Sequence, residues 1–242
     1  MNLVVDIGNS TVKTAVFNQG ELVDFVQDSD LSLTKFVMIA QKYPLKHGII
    51  SSVVDLPENV NALLNSVGVK FLRFTSDVPV PIQIHYQTPH TLGADRVAAV
   101  VAAHEQQPGK DLLVIDAGTC VTYEFIDKQG AYWGGNISPG VQMRLKALHT
   151  YTNRLPLVSS EGDVPMYGNT TETAIRAGVM QGLRFEMEGY ITHMLRKYPE
   201  LLVFLTGGDE FSFDTPIKNI IFADKFLVLK GLDRILTYNE TV

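Results

Sequence analysis

Asp6 ends an unbroken apolar run, Leu3-Val4-Val5, and leads into Ile7-Gly8-Asn9-Ser10-Thr11-Val12-Lys13. Such a run reads as a strand buried on both faces, and Gly8 lets backbone turn sharply or approach a ligand. An acid delivered into a turn of small hydrogen-bonding residues is suited to holding a cation–phosphate complex. The same string also suits a plain hairpin whose aspartate caps the turn. A second copy favours the first reading. Leu112 to Thr119 repeats the pattern, with Asp116 matching Asp6 and Gly118 matching Gly8. Lys128-Gln129-Gly130 then matches Asn18-Gln19-Gly20, and every pair is offset by 110 residues. That spacing points to a duplicated domain, since solenoid periods are far shorter. Two such halves are expected to face one another across a cleft. Gly93-Ala94-Asp95-Arg96 and Thr206-Gly207-Gly208-Asp209 complete the set of chemistry-bearing stretches.

The elements that position these residues follow from periodicity. Residues 3–7, 11–17 and 21–25 read as three short strands joined by tight Gly/Asn turns. A meander of this kind argues against a Rossmann or P-loop unit, whose first strand is followed by a helix. Helices are expected over 33–42 and 58–66, the latter opened by Pro57, and strands over 47–54 and 69–74. Three prolines make 77–90 a loop. A helix follows over 92–106, with Val97, Val100, Val101 and His104 on one face. Pro108-Gly109-Lys110 is the expected domain boundary. The meander returns over 112–133, and 134–140 reads as a turn-rich loop before a helix to 149. A proline-bearing loop, 150–168, precedes a long helix that Asn169 caps with Glu172 as box partner. A strand over 201–205, then a final strand and helix, finish the chain.

Composition bounds the function. With 242 residues, 45% hydrophobic and 19% charged, the chain is that of an ordinary globular protein with a proper core. A formal charge of −6 argues against general attraction to nucleic acid. Cys120 is the only cysteine, which excludes an intrachain disulfide and a multi-cysteine zinc site. The six histidines show no metal-ligand pairing. No stretch approaches the roughly 18 apolar residues of a membrane span, so no membrane partner and a cytoplasmic location are expected.

The order βββ, then alternating helices and strands, twice over, resembles the actin/Hsp70/sugar-kinase superfamily. Within it, the four stretches Asp6-Ile7-Gly8-Asn9-Ser10 with Lys13, Gly93–Arg96, Asp116–Thr119 and Thr206–Asp209 resemble type III pantothenate kinase. Gly-Ala-Asp-Arg at a helix head is the most family-specific of them. The resemblance implies an α/β, duplicated ribonuclease H-like fold. Two βββαβαβα-type halves, 1–110 and 111–242, would surround a cleft. It further implies ATP-dependent phosphorylation of pantothenate, the first step of coenzyme A biosynthesis.

The residue roles are carried over with the resemblance. Asp6, Ile7, Gly8, Asn9, Ser10, Thr11, Val12 and Lys13 would bind ATP and its Mg²⁺, with Thr119 as an ATP contact from the second hairpin. Asp95 would accept the proton of the substrate hydroxyl. Arg96, with Gly93, Ala94 and Tyr86, would bind pantothenate, whose carboxylate suits a planar guanidinium. Thr171 would reach the pantothenate pocket of a partner subunit, which implies a homodimer. Asp116 would hold a monovalent cation, K⁺ or NH₄⁺, although sequence alone equally allows a second Mg²⁺-associated carboxylate. Gly207 and Gly208 would turn on the adenosine side. Another phosphotransferase of the superfamily, or a non-catalytic regulator on the same scaffold, are the competing readings.

Overall fold

The computed structural model describes residues 1–8, 11–29, 33–56, 58–209, 211 and 220–241. Asn9 and Ser10 of the first hairpin, Pro57 and Glu210 lie outside the described residues.

The chain opens with β1 (Asn2–Ile7), β2 (Val12–Asn18) and β3 (Glu21–Asp28). It continues through α1 (Thr34–Lys42), β4 (His47–Ser52), α2 (Glu58–Ser66), β5 (Lys70–Arg73), the short β6 (Gln83–Ile84) and α3 (Ala94–Gln106). A second meander follows, β7 (Leu112–Ala117), β8 (Cys120–Ile126) and β9 (Ala131–Pro139). Then come α4 (Val141–Thr150), α5 (Thr171–Lys197), β10 (Leu202–Gly207), β11 (Ile221–Ala223) and α6 (Leu227–Thr241).

The first sheet runs β3-β2-β1-β4-β5, and the second runs β9-β8-β7-β10-β11 with β6 added beside β9. Counted from its own first strand, each reads 3-2-1-4-5, so the duplication seen in the hairpins extends to topology. Gly20 and Gly130, offset by 110 residues, close their turns at φ +84° and +82°. That left-handed backbone is one glycine adopts without penalty.

Packing divides the chain into two compact units. One comprises Met1–Gly109, Ile126–Gly134 and Phe226–Val242, the other Lys110–Phe125 and Gly135–Lys225. In the first, alternation sends Leu3, Val5, Ile7, Val12, Val16 and Ile50 to one face of the sheet. There they pack with Phe36, Ile39 and Ala40 of α1 and Val60 and Leu64 of α2. The opposite face carries Val4 and Asp6 with their register partners Ala15, Lys13, Ile49 and Ser51. Helices α3 and α6 pack on that side.

Residues Arg96 to Ala103 of α3 are all buried, more than the single apolar face expected from its spacing. Its alanines permit very close neighbours. A Cβ on Gly231 of α6 would lie 1.8 Å from the Ala98 carbonyl oxygen, so backbone meets backbone where the two helices cross. The head of α3 is thereby held in a fixed place over the sheet.

In the second unit, Leu113, Ile115, Val121 and Tyr123 pack with Val141 and Leu145 of α4 and with Ile175, Val179, Leu183, Met187 and Ile191 of α5. The stripe on α5 is the one its spacing predicts. Two local expectations are corrected. Residues 134–139 continue β9 and are not a turn-rich loop, because Gly135 needs its missing side chain to pass 1.9 Å (as an added Cβ) from the Tyr123 carbonyl oxygen. The cap of α5 is Thr170, which exchanges hydrogen bonds with Thr173 in a capping box shifted one residue from Asn169 and Glu172. Threonine hydroxyls reach the orphan amides of the first turn as well as the expected pair would.

Candidate functional site

In the first hairpin, the Gly8 amide donates to the Thr11 carbonyl oxygen at 3.0 Å, closing the turn after β1. Asp6 is buried at the C-terminal end of β1, and its antiparallel register partner is Lys13. Cross-strand partners project from the same face, so an acidic and a basic side chain leave the same face of the sheet at the mouth of the hairpin. Ile7 and Val12 form the last pair and are both buried. Their burial anchors the turn that the Gly8–Thr11 hydrogen bond closes. Oxygen donors around one buried carboxylate match Mg²⁺, which usually arrives on nucleotide phosphates and takes only one or two protein ligands. Among the described residues no group of three or more His, Cys, Asp or Glu forms a preassembled metal cage.

The head of α3 lies in the same unit. Gly93 is its N-cap, and the Asp95 carboxylate turns back so that Oδ1 accepts the Arg96 amide at 2.9 Å. A side chain at Gly93 would meet that oxygen at 2.5 Å. One carboxylate oxygen is thus oriented by the helix start, and a proton acceptor needs only the other. Arg96 is 7% exposed, and its guanidinium stacks over the Tyr86 ring at 5.6 Å. Tyr86 in turn rests against the backbone of Gly134, whose φ is +96° and whose added Cβ would sit 2.9 Å from the ring. Arg96 is therefore a preoriented and largely dehydrated cation, a good receptor for a carboxylate.

Beside this helix start opens a cavity of about 510 Å³, lined among others by Ser52, Phe74, Val78, Leu92, Gly93 and Ala94. The short stretch Gln83–Ile84 pairs in parallel with Ala131 and Tyr132, which positions the residues leading to Tyr86. Next to it, His85 stacks on Trp133 at 4.7 Å, and Trp133 donates to Asp127 at 2.8 Å. Burial opposes the Asp127 charge, but that bond and the amides of Ala131 and Gln129 outweigh it and hold the carboxyl below its ordinary range.

The second unit carries the matching hairpin. β7 ends at Ala117 and β8 begins at Cys120, a tighter turn than that between Ile7 and Val12. Asp116 is half-buried, and Thr119 occupies the turn. Gly140, at the head of α4, donates to the Thr119 carbonyl oxygen at 3.1 Å. The amides of Gly208 and Asp209 both donate to the Ala117 carbonyl oxygen at 3.0 Å, so the Thr206–Asp209 stretch returns to the base of this hairpin. Burial pushes the Asp209 carboxyl up, and the Val141 amide it accepts at the start of α4 pulls it partly back. Asp209 reads in sequence as a solvated turn. Only its return to α4 shows it to be half-buried.

Thr171 stands elsewhere in this unit, exposed at the first position of α5. It lines a largely apolar groove of about 1080 Å³ along α4 and α5, with Met143, Leu148, Tyr151 and Ile175. The structure thus brings Asp6 and Lys13 together, gathers Tyr86 with Gly93, Ala94, Asp95 and Arg96, and places Asp116 with Thr119. Gly134 and Gly140 were missed as site residues by sequence reasoning, although the paired glycines at 134 and 135 were a visible signal.

Comparison with known proteins accords with this arrangement. The profile of the family described as type III pantothenate kinase matches residues 2–193. A type III pantothenate kinase of Phocaeicola vulgatus is 60% identical over 240 residues, 99% of each chain. One of Bacteroides fragilis is 59% identical over the same length and coverage. Among solved structures, a ROK family glucokinase from Streptomyces griseus, in complex with glucose and AMPPNP, superposes with a TM-score of 0.52. Its identity is 10%, over 100% of this chain and 99% of that one, a likeness of fold alone. It accords with the duplicated ribonuclease H-like architecture.

Proposed function

The chain belongs to the type III pantothenate kinase family, and we propose that it performs that family's reaction with Asp95 as proton acceptor. The reaction is transfer of the γ-phosphoryl group of ATP to the primary hydroxyl of pantothenate, the entry to coenzyme A. The observation that carries the assignment of roles is the construction at the head of α3. A carboxylate oriented by its own helix start stands beside a buried arginine stacked on Tyr86.

Phosphoryl transfer asks for charge neutralisation and in-line positioning more than for covalent chemistry. Arg96 and Tyr86, with the Gly93–Ala94 backbone, orient the acceptor through its carboxylate. Asp95 takes the hydroxyl proton as the oxygen attacks. A kinase of this family uses ATP with a divalent metal, and Mg²⁺ would supply the charge neutralisation on the phosphates. Asp6 is the residue to hold it, with Gly8, Thr11 and Lys13 on the phosphate oxygens and Ile7 and Val12 keeping the hairpin closed. Asn9 and Ser10 belong to the same hairpin by sequence. In the second unit Thr119 contacts ATP, and Asp116 holds K⁺ or NH₄⁺. Thr171 completes the pantothenate pocket of a second copy. Its exposure at the start of α5, beside an apolar groove, supports a homodimer. Among the described residues no helix is long and apolar enough to cross a membrane, and we place the enzyme in the cytoplasm.

A coupled ADP-release assay tests the reading. Release should depend on pantothenate and fall steeply when Na⁺ is the sole monovalent cation. Asp95→Asn should lower kcat by about 10²- to 10⁴-fold with an unchanged melting temperature. ADP release without pantothenate would favour another phosphotransferase. Absence of any ATP turnover would favour the regulator.

A further inference from the structure

Ser51 lies on β4 in parallel register with Asp6 of β1, so the two side chains leave the same face of the sheet on adjacent strands. The residue is fully buried, and its Oγ is among the few buried side-chain atoms with no hydrogen-bond partner among the described residues. Burying an unpaired hydroxyl is unfavourable relative to pairing it, so an alanine would serve packing better. The second half shows the same device. Thr206 of β10 is in parallel register with Asp116 of β7 and is likewise buried. Each hairpin acid therefore has a buried hydroxyl beside it on the neighbouring parallel strand. The two hydroxyls come from positions 155 residues apart, not 110, so simple sequence offset does not reveal the pair.

A second unpaired hydroxyl in the first sheet, that of Thr14, provides the contrast. Thr14 is in register with Val5 and so projects into the apolar face covered by α1 and α2. Burial alone does not single out Ser51. Its place beside the acid at the end of the strand does.

We propose that Ser51 is a positioning residue for the nucleotide's metal. Its hydroxyl finds its hydrogen-bond partner in the hydrated metal–phosphate group that Asp6 binds. The inference rests on the ATP-using reading above but not on pantothenate as the acceptor.

The test measures binding of the non-hydrolysable analogue AMPPNP by calorimetry at several Mg²⁺ concentrations, together with melting temperatures of the nucleotide-free protein. Ser51→Ala should melt at or above the wild-type temperature, yet bind Mg²⁺–AMPPNP about tenfold more weakly, the loss of one hydrogen bond to a charged group. Its half-saturating Mg²⁺ concentration should rise as well. Ser51→Thr, which installs the residue found in this register of the second half, should restore affinity. Thr14→Val removes an equally buried hydroxyl from the other face and should leave Mg²⁺–AMPPNP affinity unchanged. A lowered melting temperature with unchanged affinity in Ser51→Ala would overturn the proposal in favour of a packing role, and so would no change in either. If the wild type binds Mg²⁺–AMPPNP but releases no ADP with pantothenate, the acceptor assignment fails while this inference stands. If it binds none, both fail.

Discussion

Arg96 is a permanently charged side chain that the fold has nearly withdrawn from water, held over the face of Tyr86. A guanidinium held that way presents a planar fork already oriented, so a carboxylate meets its donors without the ordering that an exposed side chain requires. Lysine would keep the charge but lose both the planar fork and the stacking. Arg96→Lys should therefore raise KM for pantothenate by about tenfold or more while changing kcat much less, measured by steady-state kinetics at saturating ATP. An equal fall in kcat would place Arg96 on the transferring phosphoryl group instead. Asp95 belongs to the same construction but, as the proton acceptor we propose, should read out in kcat, so the two adjacent residues would separate binding from proton transfer.

At the scale of elements, α4 and α5 are joined to the second sheet by one polar cluster. Tyr123 on β8 donates to Glu186 of α5 at 2.8 Å, and Arg144 of α4 pairs with the other Glu186 oxygen at 2.5 Å. Arg144 also donates to Ser138 and to the Pro139 carbonyl oxygen of β9. Burial works against the Glu186 charge, but the bonds from Arg144, Tyr123 and Ser138 outweigh it and hold the carboxyl below its usual 4.5. Burial and the hydrogen bond to Glu186 push the Tyr123 phenol far up, so it remains a donor at any working pH. Because the folded value of Glu186 lies below the unfolded one, its contribution is fully present above about pH 4.5. It is lost as pH falls through the folded value. Glu186→Gln should cost about 1–3 kcal/mol at pH 7, and its stability should decline less than that of the wild type below pH 4.5, both read from denaturant unfolding. A parallel decline in the two proteins would show that the acid sensitivity arises elsewhere.

At the scale of the molecule, both sheets share one strand order, which supports residues 1–110 and 111–242 as the two fold repeats we propose. The compact units are drawn differently, because α6 packs on α3 and the turn after β8 packs with the first unit. Fold repeat and packing unit need not coincide when a terminal helix returns to cover the earlier sheet. Assembly is the other property of this scale. Tyr151 is 86% exposed and Met143 41% exposed beside the groove that Thr171 lines, an apolar surface of a kind rarely left to solvent. Light scattering should give twice the mass of the 26.8 kDa chain. Thr171→Ala should then raise KM for pantothenate without dissociating the pair. A monomer with full activity would remove Thr171 from the site.

Much was determined by local residue order alone. The two acidic hairpins, their common offset, the meanders and the Gly93–Arg96 helix head depend on neighbours in the chain, where apolar runs, glycines and caps act over a few residues. Family resemblance was carried by those same short stretches. Tertiary structure decided the pairings between distant positions: Tyr86 with Arg96 and Gly134, Asp209 with the head of α4, Ser51 beside Asp6. It also decided that α3 is buried all round and that 134–139 is strand. Backbone approach and hydrogen bonding at such separations depend on how helices and strands stack, and no local pattern of residue types encodes that stacking.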